Sequence, residues 1–158
     1  MTAIIYKKGN ILDSIEPYLA HGCNAQSKYN SGLAKQLREG YPDVYQSYMR
    51  GNMTLGSINA TYSYKANKTF FNCITQEYYG RDKTRRYVDY NAIEECIKKI
   101  SQFIYNVKSN TLTNGQPNII DHVALPKIGC GLGGGEWYII SKIIEDNSIF
   151  FQPVVYEL

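Results

Sequence analysis

The most informative stretch of this sequence is Leu125-Pro-Lys-Ile-Gly-Cys-Gly-Leu-Gly-Gly-Gly-Glu-Trp137. Five of the seven residues from 129 to 135 are glycine, although the chain of 158 residues has only 13. Because each glycine loses much backbone entropy on folding, an ordinary loop rarely contains such a run. Without Cβ atoms, backbone N–H groups can approach a ligand closely. The segment therefore predicts an anion-binding loop between a buried strand and a helix N-terminus.

The spacing of these glycines excludes two better-known phosphate loops. No Gly-Lys-Ser/Thr follows, as a Walker loop requires, and no G-x-G-x-x-G fingerprint stands in its usual place after the first strand. One alternative to ligand binding stays open. The glycines could serve a flexible connection or the tight packing of the backbone against its neighbours.

Strands and helices alternate on both sides of this loop. The stripe Ile93, Ile97, Ile100 and Ile104, spaced 4, 3 and 4, predicts a helix that Asp89 caps. The same kind of pattern predicts strands at 3–6, 15–20, 57–64, 69–75, 119–125 and 154–156. The second of these strands is predicted to break at His21-Gly22. It predicts helices at 32–40, 44–49 (after Pro42) and about 137–145, a hairpin turn at 65–68, and the end of a connection at Asn114-Gly115 and Pro117.

This order of elements predicts an α/β fold. We expect three α/β/α layers, with a mixed, mostly parallel central sheet and helices on both of its faces. In such sheets ligands bind outside the carboxyl ends of the strands. The unusual loops of this sequence all follow strand ends, so they are expected to meet at one site.

Length and composition limit the classes of protein that fit. The length predicts a single domain, residues 1–158. The composition, with 44% hydrophobic and 20% charged residues, excludes a disordered, collagen-like or coiled-coil chain. No run approaches the roughly 18 apolar residues of a membrane span, and the N-terminus lacks the order of a signal peptide. We therefore expect a cytoplasmic protein. A net charge of +3 is too small to indicate nucleic-acid binding by itself.

The cysteines are Cys23, Cys73, Cys96 and Cys130, and they form no C-x-x-C pair. With only two histidines in the chain, these spacings do not fit a zinc site. Free thiols in a reducing cytoplasm are expected instead, with no metal and no cofactor.

A second connection from strand to helix carries polar residues, Ala20-His-Gly-Cys-Asn-Ala-Gln26 followed by Ser31-Gly-Leu-Ala34. Asn24 could bind a sugar hydroxyl with either side-chain atom, and Gly32 and Leu33 would present amides at a helix N-terminus. His21 suits proton transfer near neutral pH. A core histidine that is hydrogen-bonded to a backbone carbonyl is an equally good interpretation.

Two further segments suggest ligand contacts. Asn10, in Lys8-Gly-Asn-Ile11, could read an exocyclic amine or cap a turn. The stretch Tyr78-Tyr-Gly-Arg-Asp-Lys-Thr-Arg-Arg-Tyr87 holds four cations and three tyrosines. It could be a lid that contacts phosphates or stacks on a base, although a solvated loop is the commoner explanation of such a charge run.

Together these segments resemble the macrodomain family, whose members bind ADP-ribose. The resemblance covers essentially the whole chain. It is carried by Gly9-Asn10-Ile11, by His21-Gly-Cys-Asn24 with Gly32-Leu-Ala34, by Leu55-Gly56 and by Pro126-Lys-Ile-Gly-Cys-Gly-Leu132. The glycine run ending in Glu136-Trp137 looks most like the ADP-ribose 1″-phosphate phosphatase branch, and the size and composition are similar to phage-encoded members.

The resemblance implies a ligand site along the loops. Asn10 stands where an aspartate usually accepts a hydrogen bond from the adenine amine. Asn24 would contact the distal ribose, and Tyr156 or Phe151 would line the adenine slot. The implied ligand-binding residues are Gly9, Asn10, Ile11, Cys23, Asn24, Gly32, Leu33, Ile128, Gly129, Cys130, Gly131, Leu132, Gly133, Gly134, Gly135 and Tyr156.

The resemblance also implies a metal-independent phosphatase that converts ADP-ribose 1″-phosphate to ADP-ribose and phosphate. A histidine matching His21 is implicated in catalysis in that branch, and Asn24 would fix the ribose. Glu136 could orient His21, act as the base itself, or only complement the dipole of the helix that follows. A monomer that binds no membrane is expected, and nucleic acid is the less favoured partner.

Three other functions stay open, the weakest of which is nucleic-acid binding through Arg81 to Arg86. One of the other two is hydrolysis of ADP-ribose from modified macromolecules, and the second is binding of ADP-ribose without turnover. A related branch that frees ADP-ribose from glutamate side chains uses a lysine and an aspartate. Those positions are Gln76 and Gly133 here, which argues against a lysine-adduct mechanism.

Overall fold

A computed structural model describes residues 1–111 and 120–158, and the elements below are those of this part of the chain. The strands are β1 (Ile5–Lys8), β2 (Tyr18–Asn24), β3 (Ile58–Ser63), β4 (Lys68–Gln76), β5 (Asp121–Leu125) and β6 (Phe151–Glu157). The helices are α1 (Gly32–Gly40), α2 (Pro42–Arg50), α3 (Tyr90–Thr111) and α4 (Trp137–Asn147). The predicted turn residues Asn114, Gly115 and Pro117, and the predicted strand residue Ile119, lie outside the described residues.

The strands form one sheet in the order β1-β6-β5-β2-β4-β3. Neighbouring strands are parallel except β3 and β4, which form an antiparallel hairpin. The prediction of a mixed, mostly parallel sheet with one internal hairpin is therefore confirmed.

Helices cover both faces of the sheet, which confirms the three predicted layers. On one face, α1 and α2 bury Leu37, Val44 and Tyr48. On the other face, α3 and α4 pack on the sheet, and the isoleucine stripe of α3 is fully buried. Asp89 caps α3 as predicted, because its Oδ1 accepts a hydrogen bond from the Ala92 amide at 3.0 Å. Among the described residues, no helix is long and apolar enough to cross a membrane.

The predicted break of β2 at His21-Gly22 is wrong. The strand continues through both residues to Asn24, and it pairs with β4 at His21↔Asn72 and Gly22↔Cys73. Glycine is needed there because a Cβ atom on Gly22 would lie 2.8 Å from Thr75 Oγ1. This glycine therefore allows close packing inside a strand and does not end it.

The neighbouring strands β2 and β5 separate towards their carboxyl ends. They pair only at Tyr18↔Val123 and Leu19↔Ala124 in the described chain. Beyond those pairs, β2 leads to α1 on one face of the sheet, whereas β5 leads to α4 on the other. Such a switch point opens a crevice beyond the strand ends, and that crevice is where doubly wound sheets bind ligands.

Candidate ligand-binding cleft

Three adjoining cavities form one cleft at this switch point. The first cavity, of about 690 Å³, lies between Gly9 to Ile11 and Tyr156. The middle cavity, of about 240 Å³, shares Gly32 and Leu33 with the first. The far cavity, of about 400 Å³, shares Leu132 and Gly133 with the middle one. The cleft therefore offers an elongated ligand three successive compartments.

Backbone amides reach the middle cavity from two sides. On one side α1 begins at Gly32, and its N-cap residue Ser31 makes no side-chain capping bond within the described residues. On the other side, the amides of Gly131, Leu132 and Gly133 have no acceptor in residues 1–111 and 120–158. Unsatisfied N–H groups at a helix N-terminus carry partial positive charge, and free loop amides add further donors. The middle cavity is thus suited to an anion.

The loop glycines Gly129, Gly134 and Gly135 serve packing. Gly129 has φ +77°, and a Cβ atom there would lie 2.8 Å from Val88 Cγ2. A Cβ on Gly135 would lie 2.7 Å from Ile140 Cδ1, and one on Gly134 would lie 2.8 Å from a backbone oxygen of the loop before α3. Gly134 and Gly135 line none of these three cavities in the described chain, and their role as ligand contacts stays a prediction.

Gly131 and Gly133 border the cleft, as Gly129 does, and Gly133 is needed for packing as well. A Cβ on Gly131 would meet no described atom within 4 Å, whereas one on Gly133 would lie 2.7 Å from Gly129 O. Gly129, Gly131 and Leu132, with the buried Ile128, line the middle cavity. Cys130 lines none of the three cavities of the described chain, and burial raises the pKa of its thiol.

The first cavity brings together Gly9, Asn10, Ile11 and Tyr156, as the resemblance implies. Asn10 Oδ1 already accepts a hydrogen bond from a backbone amide, that of Leu12, at 3.0 Å. The side chain therefore caps the short 3-10 turn at Ile11–Asp13, while Asn10 also lines the cavity.

Tyr156 is the aromatic residue of this cavity, and a buried carboxylate holds it. Its hydroxyl donates to Glu16 Oε1 at 2.5 Å, and Lys7 Nζ donates to Glu16 Oε2 at 2.8 Å. Burial raises the pKa of Glu16, but these two hydrogen bonds, together with a backbone hydrogen bond and the charge of Lys7, leave the pKa below its ordinary value. Phe151, the other aromatic proposed for this slot, is buried in the core on the α3 and α4 face.

His21 borders the middle cavity, but its side chain is enclosed, and only 2% of the residue is exposed. Nε2 is 2.6 Å from both Asn72 Oδ1 and the Tyr29 hydroxyl. The Asn72 amide donates to Val44 O and Asn59 Oδ1, which turns Oδ1 towards the ring, so Nε2 carries the proton and donates. Burial lowers the pKa of His21 to about 4, against the opposing effect of the Asn72 hydrogen bond. The imidazole is therefore neutral at pH 7.

Asn24 borders the far cavity, but its side chain holds the loop that follows β2. Oδ1 accepts from the amides of Gln26 and Lys28, at 3.0 and 3.2 Å, and Tyr48 OH donates to the backbone oxygen of Asn24 at 2.6 Å. Nδ2 donates to Lys28 O at 2.8 Å. The prediction that either side-chain atom could bind a sugar is corrected, because only one N–H of Nδ2 keeps free hydrogen-bonding capacity. Cys23 also lines this cavity, and burial raises the pKa of its thiol.

Glu136 and His21 share no contact in the described structure. Glu136 is exposed, and its backbone amide donates to Tyr90 OH at 3.1 Å. Its carboxylate lies beside Tyr138, whose pKa it raises by charge and by hydrogen bonding. It is the N-cap residue of α4 without a side-chain cap bond to described atoms. The predicted pairing of Glu136 with His21 is therefore corrected.

Gln76 and Gly133 lie close together in the cleft. They occupy the positions of the lysine and the aspartate in the branch that frees ADP-ribose from glutamate side chains. Gln76 and Gly133 both line the middle and far cavities, and a Cβ on Gly133 would lie 3.2 Å from Gln76 Oε1. An amide and a glycine stand there, so this place in the cleft has neither an amine nor a carboxylate.

Two cations line the far cavity, Lys28 and Arg81. Arg81 belongs to the basic segment singled out from the sequence, but Lys28 was missed. Its position four residues after Asn24, in a loop already expected at the site, was the available signal. No group of three or more His, Cys, Asp or Glu side chains among the described residues is placed to hold a metal ion. All four cysteines are described and free, as predicted.

The strand order, the two helical layers and the cleft between the β2 and β5 loops match the fold of solved macrodomain structures. The macrodomain of Thermus aquaticus DarG matches with a TM-score of 0.76 and 22% identity over 98% of each chain. A Thermosipho africanus DarTG structure in complex with ADP-ribose matches with a TM-score of 0.71 and 19% identity, over 96% of this chain and 41% of that one. The fold is that of a macrodomain.

Among known sequences, the chain is similar to an uncharacterized 17.5 kDa protein from the tk-vs intergenic region of Enterobacteria phage T4, with 29% identity over 95% of this chain and 93% of that protein. It is 26% identical to the ADP-ribose 1″-phosphate phosphatase of Saccharomyces cerevisiae (strain YJM789) over the full length of both. A DNA ADP-ribosyl glycohydrolase of Thermus aquaticus is 23% identical over 89% of this chain and 36% of that protein. No family model matches. The resemblance to the phosphatase branch and to a phage-encoded protein is confirmed.

Proposed function

We propose that the protein binds ADP-ribose 1″-phosphate in this cleft and hydrolyses its terminal phosphate, which yields ADP-ribose and inorganic phosphate. The observation that carries the proposal is the convergence of free backbone amides on the middle cavity, from the start of α1 and from Gly131 to Gly133. The similarity to an ADP-ribose 1″-phosphate phosphatase over the full length of both chains supports the choice of substrate.

The three cavities suit the three parts of this ligand. The first cavity has the aromatic ring of Tyr156 and the side chain of Asn10 for a base. The amides of the middle cavity would hold the diphosphate, because donors and the α1 dipole both favour negative charge there. The far cavity, with Lys28 and Arg81, would take the distal ribose and its phosphate.

The proposed chemistry is attack of water on the terminal phosphorus. The water oxygen forms a bond to phosphorus and gives up one proton, while the bond from phosphorus to the anomeric oxygen breaks. That oxygen takes up one proton, delivered from the water through solvent, to become the hydroxyl of ADP-ribose. The anomeric oxygen is a better leaving group than an ordinary alkoxide, because the ring oxygen withdraws electrons from it. Preorganised N–H donors and cations would stabilise the charge that develops on the phosphate.

This chemistry gives His21 a positioning role and not that of an acid. A neutral imidazole with a pKa of about 4 cannot supply a proton as imidazolium at pH 7. Through Tyr29, which lies in the loop between β2 and α1, His21 instead supports one wall of the cleft. Asn24 supports the same loop through Lys28, and Glu136 has no proposed contact with the substrate.

The experiment measures phosphate release from ADP-ribose 1″-phosphate by the wild type and two matched variants. Gly131→Val fills the middle cavity, whereas Gly40→Val adds the same side chain at the end of α1. At both glycines a Cβ atom would meet no described atom within 4 Å, so both variants should fold. Turnover by the wild type and by Gly40→Val, with loss in Gly131→Val, is the expected result. No turnover by the wild type, with tight ADP-ribose binding, would identify a binding module instead.

A second candidate is removal of ADP-ribose from modified DNA. It is favoured by the cationic loop beside the far cavity and by the similarity to the Thermus aquaticus DNA ADP-ribosyl glycohydrolase. An ADP-ribosylated oligonucleotide and ADP-ribose 1″-phosphate, assayed side by side, separate the two activities. Faster release of ADP-ribose from the oligonucleotide would replace the phosphatase proposal.

A further inference from the structure

The far cavity is bordered by two cations that have no ion pair or side-chain hydrogen bond within residues 1–111 and 120–158. They are Lys28, in the loop after β2, and Arg81, in the loop after β4. No Asp or Glu is among the described residues that line this cavity. Because unpaired cations without a neighbouring carboxylate attract negative charge, this end of the cleft is suited to an anion of its own.

The loop that carries Arg81 is attached firmly to the glycine-rich loop. Gly133 O accepts hydrogen bonds from the amides of Tyr87, at 2.8 Å, and Val88, at 3.0 Å. Gly80 packs against Tyr87 so closely that a Cβ atom there would lie 2.3 Å from the tyrosine hydroxyl oxygen. The backbone next to Arg81 is therefore set by packing against the cleft itself.

The other cations of this loop are engaged elsewhere or lie away from the cavity. Arg85 lies over the rings of two tyrosines, at 4.9 and 5.7 Å, and Arg86 lies 4.1 Å from the centre of the Tyr90 ring. Lys83 is exposed and lines none of the three cavities in the described chain. Of the four cations in the loop, Arg81 is thus the one placed at the far cavity.

Asn24 holds the backbone of Lys28 in the loop after β2. The Asn24 side chain accepts from the Lys28 amide at 3.2 Å and donates to the Lys28 carbonyl at 2.8 Å. This double contact fixes the backbone of Lys28 while its ammonium group is exposed. The two cations therefore stand on two anchored loops that both line the far cavity.

We propose that Lys28 and Arg81 form a phosphate clamp that makes the far cavity selective for nucleotides with a terminal phosphate at the distal ribose. The clamp rests on the proposed function, because it assumes that the diphosphate occupies the middle cavity. A phosphomonoester carries about −1.5 to −2 charges at pH 7. A distal hydroxyl or a neutral ester gains much less from the same two cations, and this difference is the source of selectivity.

The test compares calorimetric affinities for ADP-ribose and for its 1″-methylenephosphonate analogue, which cannot be hydrolysed. The wild type should bind the phosphonate about tenfold or more tightly than ADP-ribose, as expected for charge-assisted hydrogen bonds. Arg81→Gln should lose most of that preference and keep its affinity for ADP-ribose. Lys83→Gln removes the same charge from the same loop and should bind both ligands like the wild type. Lys28→Gln should behave like Arg81→Gln, with Lys35→Gln on α1 as its matched control.

The outcomes separate failure of the clamp from failure of the proposed function. Wild-type protein that binds neither ligand overturns the proposed function. Wild-type protein that binds both equally, or equal losses in Arg81→Gln and Lys83→Gln, overturns the clamp alone. If an ADP-ribosylated oligonucleotide binds more tightly than the phosphonate and Arg81→Gln abolishes only that binding, the cations serve a nucleic acid and the clamp is likewise overturned.

Discussion

Replacing His21 by glutamine should remove a pH-dependent part of the stability of this protein. The residue is only 2% exposed, and burial lowers the pKa of its imidazole to about 4. In the unfolded chain the pKa of a histidine is about 6.5. Between these two values the unfolded chain binds more protons than the folded protein, so the free energy of unfolding rises with pH. The contribution of His21 is complete above pH 6.5 and is lost as the pH falls towards 4.

The size of this effect follows from the shift of the pKa. A difference of about 2.5 pH units, at about 1.4 kcal/mol for each unit, gives about 3 kcal/mol. The buried Glu16 carboxylate also loses its contribution in acid, because its pKa lies below the ordinary value. That loss occurs in the wild type and in His21→Gln alike, so it cancels in the comparison.

The assay is urea unfolding, followed by circular dichroism from pH 4 to pH 7.5. The wild type should lose about 3 kcal/mol more than His21→Gln over this range. Because the variant also loses contacts with Asn72 and Tyr29, its absolute stability is lower at every pH, and only the difference in slope is diagnostic. Parallel losses in the two proteins would refute the reasoning.

A direct titration keeps this prediction testable if the variant does not fold. The chain has only two histidines, so NMR spectra of the wild type contain two imidazole signals. The His122→Gln variant assigns the signal of His21. A His21 titration near pH 6.5 would contradict the enclosed, neutral imidazole and would restore it as an acid for phosphate release at neutral pH.

Three other substitutions test the cleft. Gly129→Ala should lower the free energy of unfolding by about 2–4 kcal/mol, because φ is +77° and a Cβ there would lie 2.8 Å from a buried methyl group. Gly131→Ala should change the free energy of unfolding by less than about 0.5 kcal/mol. If urea unfolding showed the same loss of stability for Gly129→Ala and Gly131→Ala, the packing role of Gly129 would be contradicted. Asn10→Asp should tighten ADP-ribose binding several-fold, since a carboxylate is the stronger acceptor for the adenine amine. An equal gain in affinity for the hypoxanthine analogue, which lacks that amine, would exclude the amine as the partner of residue 10. Tyr156→Phe should lower stability by about 1–3 kcal/mol at pH 7, with a smaller loss in acid as Glu16 becomes protonated, and a loss independent of pH would exclude their hydrogen bond as the cause.

Elements with strong local patterns were predicted well. The isoleucine stripe of α3, the Asp89 cap and the hairpin of β3 and β4 are found where the sequence predicts them. Helix α1 has the predicted bounds, because its leucine spacing and the following Pro42 are both local signals. Strand β2 was cut short, since the glycine that appeared to end it is required by contacts with Thr75 in the neighbouring strand.

The site was predicted in outline and corrected in detail. The loops that line the cleft were identified, including Gly9 to Ile11, Gly32-Leu33 and the run after β5. The roles of single side chains were harder to predict from the sequence. The protonation of the His21 ring depends on its hydrogen bond to Asn72, which is 51 positions away in the chain. A contact between residues so far apart produces no local sequence pattern from which it could be predicted.

The alternation of apolar residues and the clustered glycines were sufficient to establish the α/β class and a binding loop after β5, because burial against one face and freedom of the backbone are local properties. The assignment of each glycine to packing or to the cleft, the neutral state of His21 and the meeting of Lys28 with Arg81 required the folded chain. Those features depend on which strands are neighbours and on the exclusion of water between them, and both arise only when distant segments pack together.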